Sequence, residues 1–359
     1  MRAAVLHETG QEKLEVHEGV DVPATGPGKV RVRMKAASLC HSDLSAMSGV
    51  LPQPAPFVPG HEGAGEVTEV GEGVEGLAVG DRVIVCWMPP CGNCAACKRG
   101  EGNLCLAAFM NMGTPSYTHQ GKDIFGFSAT GTFAEESVIA AGCAFKIPDD
   151  VPYEVAALIG CGVTTGVGAA INTAKVEPGS SVVVVGCGGV GIAAIQGAKV
   201  AGAAQILAVD PVAGRREWAL RFGATEAVHP DQLDEAKNRI TGGEGFDYAF
   251  EVVGRSATVR TAYDATRRGG ALVVVGAGAM DDMAQFNMFE LFFNEKRILP
   301  SLYGGSDVLA TYRTVIELWR AGRLDLEGMV THHVRLEAIN DALQQMRTGE
   351  ALRTVIDLG

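Results

Sequence analysis

Ser181-Val182-Val183-Val184-Val185-Gly186-Cys187-Gly188-Gly189-Val190-Gly191 is the stretch on which the fold turns. Its first five residues are a nearly unbroken β-branched run, which is how a strand buried on both faces of a parallel sheet reads. The next six fit G-x-G-x-x-G, a pattern that alone marks only a glycine-rich turn. Here it directly follows a strand and opens a helix-compatible segment reaching to about Gly202, and that context predicts a dinucleotide-binding turn. In such a turn Gly186, Gly188, Gly189 and Gly191 let backbone N–H groups approach a pyrophosphate at the positive end of the helix. A second strand, 206–210, ends in Asp210, nineteen residues beyond Gly191. An acid there binds the ribose 2′-hydroxyl and repels a 2′-phosphate, so NAD is expected over NADP; Arg215 is the nearby base that could accept such a phosphate instead.

The texture outside this stretch differs on its two sides. Downstream, apolar strands at 248–253 and 271–275 alternate with helix-compatible segments, which predicts a doubly wound parallel sheet. Beyond about 303 come one amphipathic helix, 308–321, and a terminal strand-like run, 353–358. Upstream, Lys29-Val30-Arg31-Val32-Arg33-Met34 alternates with period two, and 67–71 and 81–85 are similar. The first 160 residues or so therefore read as a β-rich domain, with a loop excursion over roughly 86–130.

Composition narrows the class. The chain has 359 residues, 47% hydrophobic and 20% charged, enough for about two domains and a large core. Its 47 glycines are about 13% of the chain against a usual 7% or so, without any G-X-Y period, which points to many tight turns. A formal net charge of −12 argues against a nucleic-acid or anionic-membrane surface. The start, MRAAVLHE, has no long apolar stretch. The longest apolar-looking run, 182–195, falls short of the roughly 20 residues that span a bilayer, so a soluble, cytoplasmic protein is expected.

The nine cysteines divide by position. Cys91, Cys94, Cys97 and Cys105 lie within CGNCAACKRGEGNLC, and four thiolates so spaced can close a tetrahedral zinc site. An iron–sulfur cluster is the rival, but the last gap is seven residues rather than three and no proline follows, which favours zinc. A closed site of this kind is structural. Cys86, Cys143 and Cys187 are scattered and read as small buried hydrophobes. Cys40 in Cys40-His41-Ser42-Asp43, His61 in Gly60-His61-Glu62 and Cys161 in Gly160-Cys161-Gly162 supply two thiolates and one imidazole. Beside a dinucleotide fold, that set is the ligand pattern of a catalytic zinc with one open position.

The segments GHEGAGEV (60–67), CGNCAACKRGEGNLC (91–105), LIGCGVTTG (158–166), VGCGGVG (185–191) and LRTVIDL (352–358) resemble the zinc-dependent medium-chain alcohol dehydrogenases over essentially the whole chain. The resemblance implies an α/β protein: a GroES-like β-rich catalytic domain plus a Rossmann doubly wound parallel-sheet domain. The catalytic part would span 1–162 with a structural-zinc lobe at 86–130, the cofactor domain 163–302, and a return to the catalytic part 303–359. It further implies two zinc ions per subunit and NAD. Cys40, His61 and Cys161 would ligate the catalytic zinc, Asp43 would orient His61, and Glu62 would lie behind the metal as an occasional ligand or pair with Arg353. Val190 and Thr165 would pack near the nicotinamide, and Arg353 and His41 would face the pyrophosphate, His41 standing where an arginine is common.

The implied reaction is oxidation of primary aliphatic or benzylic alcohols to aldehydes, and its reverse. Zinc lowers the hydroxyl pKa and stabilises the alkoxide, hydride passes to the nicotinamide, and Ser42 relays the proton. The histidine that ends this relay in many relatives is replaced by Ser45. Leu51, Trp87, Met110, Phe133, Ala277 and Leu302 would line an apolar cleft, or serve as core. Leu51 and Phe109 stand where members acting on the glutathione–formaldehyde adduct carry polar groups. A thiol-dependent formaldehyde dehydrogenase, or a nicotinoprotein with permanently bound NAD, would share this sequence pattern, and a zinc-binding redox sensor is the rival from another class. The long lobe between Cys105 and Phe133 suggests a homodimer, a homotetramer being the alternative.

Overall fold

The structure of the chain, a computed structural model, describes residues 1–107 and 113–359. It divides into two units: Met1–Cys161 with Leu326–Gly359, and Gly162–Asp325. The helix Val308–Arg320, grouped by sequence with the returning tail, falls in the second unit. There it packs against the helix Thr164–Gly168, and Asn172 Nδ2 donates to Thr311 Oγ1 at 3.1 Å.

The first unit is built on a seven-stranded sheet. Its central strand, Lys29–Ser38, turns Val30, Val32 and Met34 into the core, as the alternation predicts. The strand runs four residues past that alternating segment, through Lys35-Ala36-Ala37-Ser38. It pairs antiparallel with Glu62–Val70 on one side and with the terminal strand Arg353–Asp357 on the other. Ser38 therefore lies opposite both Glu62 and Val355, which draws the chain's end into the centre of the sheet.

The second unit contains a six-stranded, all-parallel sheet. In spatial order its strands are Glu226–Val228, Gln205–Val209, Ser181–Val185, Phe246–Glu251, Thr266–Val274 and Arg297–Pro300. Numbered along the chain this is the order 3-2-1-4-5-6, whose reversal beside Ser181–Val185 is where open α/β sheets bind dinucleotides. Val182, Val183 and Val184 are fully buried, as helices on both faces require. Asp247 ties three neighbouring interior strands together, accepting from Ser181 N and Oγ at 2.8 Å each and from Arg267 Nε at 2.7 Å. Those donors hold its carboxyl below the ordinary range although burial opposes them.

One helical run differs from the sequence expectation. Tyr153–Ala174 is 22 residues long with mean hydropathy 1.6, and is long and apolar enough to cross a membrane by composition alone. In the fold, 83% of its apolar window is buried inside the protein. Its glycines and threonines conceal it from a propensity reading. Wide π-turns occupy Ile159–Val163 and Ala169–Ala174, and such turns are frequent at functional sites.

Candidate active site

Cys40 ends the extended chain leaving Lys29–Ser38 and caps the helix His41–Ser48. Asp43, in the first turn, is fully buried. Its Oδ2 accepts from Cys40 N at 3.0 Å, while Oδ1 accepts from Gly60 N at 3.1 Å and faces His61 Nδ1 at 3.0 Å. A single carboxylate thus fixes the thiol-bearing turn and the imidazole-bearing turn together. With Nδ1 donating to Asp43, His61 turns Nε2 into the site, and this buried nitrogen has no hydrogen-bond partner. A buried nitrogen left so is costly unless a metal takes the lone pair.

Cys161 sits in the π-turn, and the ligand atoms of Cys40, His61, Glu62 and Cys161 all lie within 4.8 Å of one another, every residue buried. The Cys161 thiol, then His61 and Arg353, hold the Cys40 thiol well below its ordinary value against the effect of burial. Burial lowers the His61 pKa, yet Asp43 and Cys40 outweigh it and raise the value to about 10. The pocket thus attracts a cation, and a metal would displace that proton. Glu62 is engaged elsewhere: its Oε2 pairs with Arg353 Nη2, which also donates to Ser38 Oγ at 2.7 Å. Arg353, expected at a pyrophosphate, is itself buried in this pair. Ser42 Oγ lies 3.8 Å from Cys40 Sγ. His41 is exposed and Ser45 half-buried.

The lobe cysteines also converge. Cys91 and Cys97 sulfurs are 4.0 Å apart, and Cys94 and Cys105 sulfurs 3.9 Å. A tetrahedron with zinc–sulfur bonds of about 2.3 Å has sulfur–sulfur edges of about 3.8 Å. Backbone amides of Cys91, Cys94 and Cys97 donate to Cys105, Cys91 and Cys94 sulfurs at 3.3, 3.3 and 3.5 Å. The amides of Asn93 and Cys94 bring the Cys91 thiol down to about 6, favouring the thiolate that binds metal. Cys86, Cys143 and Cys187 are buried.

In the second unit, Gly186 has φ +97°, which ends the strand, and a Cβ on Gly191 would lie 1.9 Å from the Gly186 carbonyl oxygen. No side chain caps the helix Gly189–Ala201, so its first amides are left for a ligand. Asp210 is buried, accepting from Cys187 N and Val212 N at 2.9 Å each, with Arg215 Nη1 3.9 Å from Oδ2. Val190 and Thr165 are half-buried.

Residues 26–149 match the alcohol dehydrogenase GroES-like domain, and residues 189–320 match the zinc-binding dehydrogenase domain. Alcohol dehydrogenase B of Mycobacterium tuberculosis is 38% identical over 352 residues, covering 94% of each chain. The chain belongs to the zinc-dependent medium-chain alcohol dehydrogenase family. S-(hydroxymethyl)glutathione dehydrogenase of Escherichia coli is 37% identical over 368 residues, 99% of each chain. Among solved structures, benzyl alcohol dehydrogenase of Acinetobacter calcoaceticus superimposes with a TM-score of 0.90 at 31% identity, covering 100% of this chain and 99% of that one. As a member of this alcohol dehydrogenase family the chain is an oxidoreductase that uses zinc and a nicotinamide cofactor.

Of the cleft residues expected in this alcohol dehydrogenase, Trp87 is half-buried and edge-on to His61, ring centroids 6.1 Å apart. Phe133 takes the other expected role and is fully buried in the core of the first unit, its ring filling the space a side chain at Gly60 would need. Leu51 is half-buried; Ala277 and Leu302 are exposed in the second unit. Met110 and Phe109 lie outside the described residues. Two contacts escaped the sequence reading: Phe127, edge-on to His61 at 5.2 Å, and Ser38 on Arg353. No local pattern marks either one, since both contacts join residues distant in sequence.

Proposed function

We propose that the chain oxidises primary aliphatic or benzylic alcohols to aldehydes, and the reverse, with NAD, using two zinc ions per subunit. The observation that carries this reading is the unpartnered, buried His61 Nε2 beside Cys40 and Cys161, a donor set suited to zinc with one position open. Zinc held there would polarise the substrate oxygen, and the nicotinamide would accept hydride. Cys40, His61 and Cys161 hold the metal, and Asp43 keeps His61 in the tautomer whose Nε2 can bind. Glu62 balances Arg353 rather than binding metal at rest. Ser42 relays the substrate proton: its hydroxyl would accept that proton while passing its own on to a ribose hydroxyl or water. Cys91, Cys94, Cys97 and Cys105 hold the structural ion. Asp210 orients the adenosine ribose and disfavours a 2′-phosphate, while the amides around Gly188–Val190 receive the pyrophosphate. Trp87 supports an apolar substrate, in keeping with the benzyl alcohol dehydrogenase likeness.

The likeness to S-(hydroxymethyl)glutathione dehydrogenase favours a second reading, oxidation of a thiol–formaldehyde adduct. NAD reduction with ethanol, longer primary alcohols, benzyl alcohol and formaldehyde, each with and without glutathione, separates the two. Thiol-independent turnover that improves with alcohol length and aromaticity is expected. Turnover of formaldehyde alone, and only with thiol, would establish the second reading.

We further propose a homodimer. The strand Arg297–Pro300 is a sheet edge, and beside it the helix Met288–Asn294 exposes Met288, Phe289, Phe292 and Phe293, a face that solvent alone does not favour.

A further inference from the structure

Outside the sites above, three ligand-type side chains converge at the start of the first unit. Strands Ala3–Val5 and Glu15–His17 pair antiparallel, with Ala3 opposite His17 and Val5 opposite Glu15. Side chains alternate between faces, so Glu15 and His17 share a face with the position two beyond Val5, which is His7. His7 Nε2 and His17 Nε2 are 2.9 Å apart, and Glu15 Oε2 is 3.4 Å from the first and 3.5 Å from the second.

That triangle is close to one face of a zinc tetrahedron. Bonds of about 2.0–2.1 Å to nitrogen or oxygen put neighbouring ligand atoms about 3.3 Å apart. Two edges already match, and the nitrogen pair needs to open by only roughly 0.4 Å. The side chains can move that far, being 39% and 24% exposed for His7 and His17. His119 packs on His17 with ring centroids 4.8 Å apart, and its Nδ1 donates to the Gly19 carbonyl at 3.3 Å.

We propose that His7, Glu15 and His17 form a further divalent-metal site, for a first-row cation such as zinc. It is distinct from the two cysteine-containing sites in position and in chemistry. Two imidazoles and a carboxylate, with water completing the shell, hold such an ion without thiolate and so less tightly than the cysteine lobe. The ion would join the first two strands of the chain across their turn, and its binding would stabilise that pairing by linkage.

Equilibrium dialysis of the full-length holoenzyme against Zn²⁺ buffered at nanomolar and at micromolar levels, at neutral pH, tests this through the zinc-to-protein ratio. The wild-type chain is expected to gain one equivalent between the two buffers. His17→Gln and His7→Gln are expected to lose that gain while keeping the nanomolar-level zinc and the circular dichroism of the wild type. No gain in the wild type, or an equal gain in both variants, overturns the proposal. A second measurement needs no variant: micromolar zinc should protect His7 and His17 from diethyl pyrocarbonate, mapped by mass spectrometry. Equal labelling with and without zinc would also overturn it.

Discussion

Glu62 and Arg353 stand 291 positions apart and share one buried ion pair. Glu62 adjoins His61, so this charge lies next to the imidazole proposed to bind metal. Removing one partner of a buried pair leaves an uncompensated charge, at a cost of about 3–5 kcal/mol, whereas replacing both with uncharged groups is often nearly neutral. Arg353→Met should therefore lower unfolding stability by that order in denaturant titration, and adding Glu62→Gln should recover much of the loss. A double variant no more stable than the single would mean that Arg353 acts mainly through Ser38. At this scale the sequence is informative about donors and poor about partners. Cys40, His61 and Cys161 stand out as candidates because two thiolates and an imidazole, in a chain that also carries a dinucleotide-type glycine turn, have few other uses. Asp43 on His61 was anticipated only through the family resemblance, and Phe127 on His61 was not anticipated.

Among the elements, the lobe around Cys91–Cys105 has little core of its own. Its regular structure is the single helical turn Ala95–Lys98 and the short 3-10 segment Gly102–Leu104, so an ion held by the four cysteines would supply what packing does not. Cys105→Ser is expected to remove one zinc equivalent and lower the melting temperature while leaving the Cys40–His61–Cys161 ion in place. Metal content and calorimetry check this, and full zinc content in the variant would contradict it. Strands with β-branched alternation, such as Lys29–Ser38, declare themselves. The extension through Ala36, Ala37 and Ser38 does not, because these residues prefer no strand by themselves and are held by neighbours on both sides. The helix Tyr153–Ala174 is obscured for a related reason: glycines and β-branched residues weaken its helical signal, and burial restores it.

For the whole molecule, the exposed aromatics of Met288–Asn294 are the feature a lone chain explains least. Phe292 is 78% exposed. If that face joins two subunits, Phe292→Asp places a charge in an apolar contact and should shift sedimentation toward monomer, with the unfolding midpoint becoming less dependent on protein concentration, because a monomer unfolds unimolecularly. An unchanged assembly would assign the face another role.

What the sequence by itself determined was chemistry and local geometry. The strand before Gly186, the glycines that must lack a Cβ, Asp210 at the next strand's end and the cysteine spacings each follow from covalent reach and steric demand within some thirty residues. What only the tertiary structure decided was which distant groups meet. The sheet lays Arg353 beside Glu62 and Ser38, the core claims Phe133, the helix Val308–Arg320 joins the second unit, and His7 comes to face Glu15 and His17. Those outcomes depend on pairing register and burial, which no local propensity encodes.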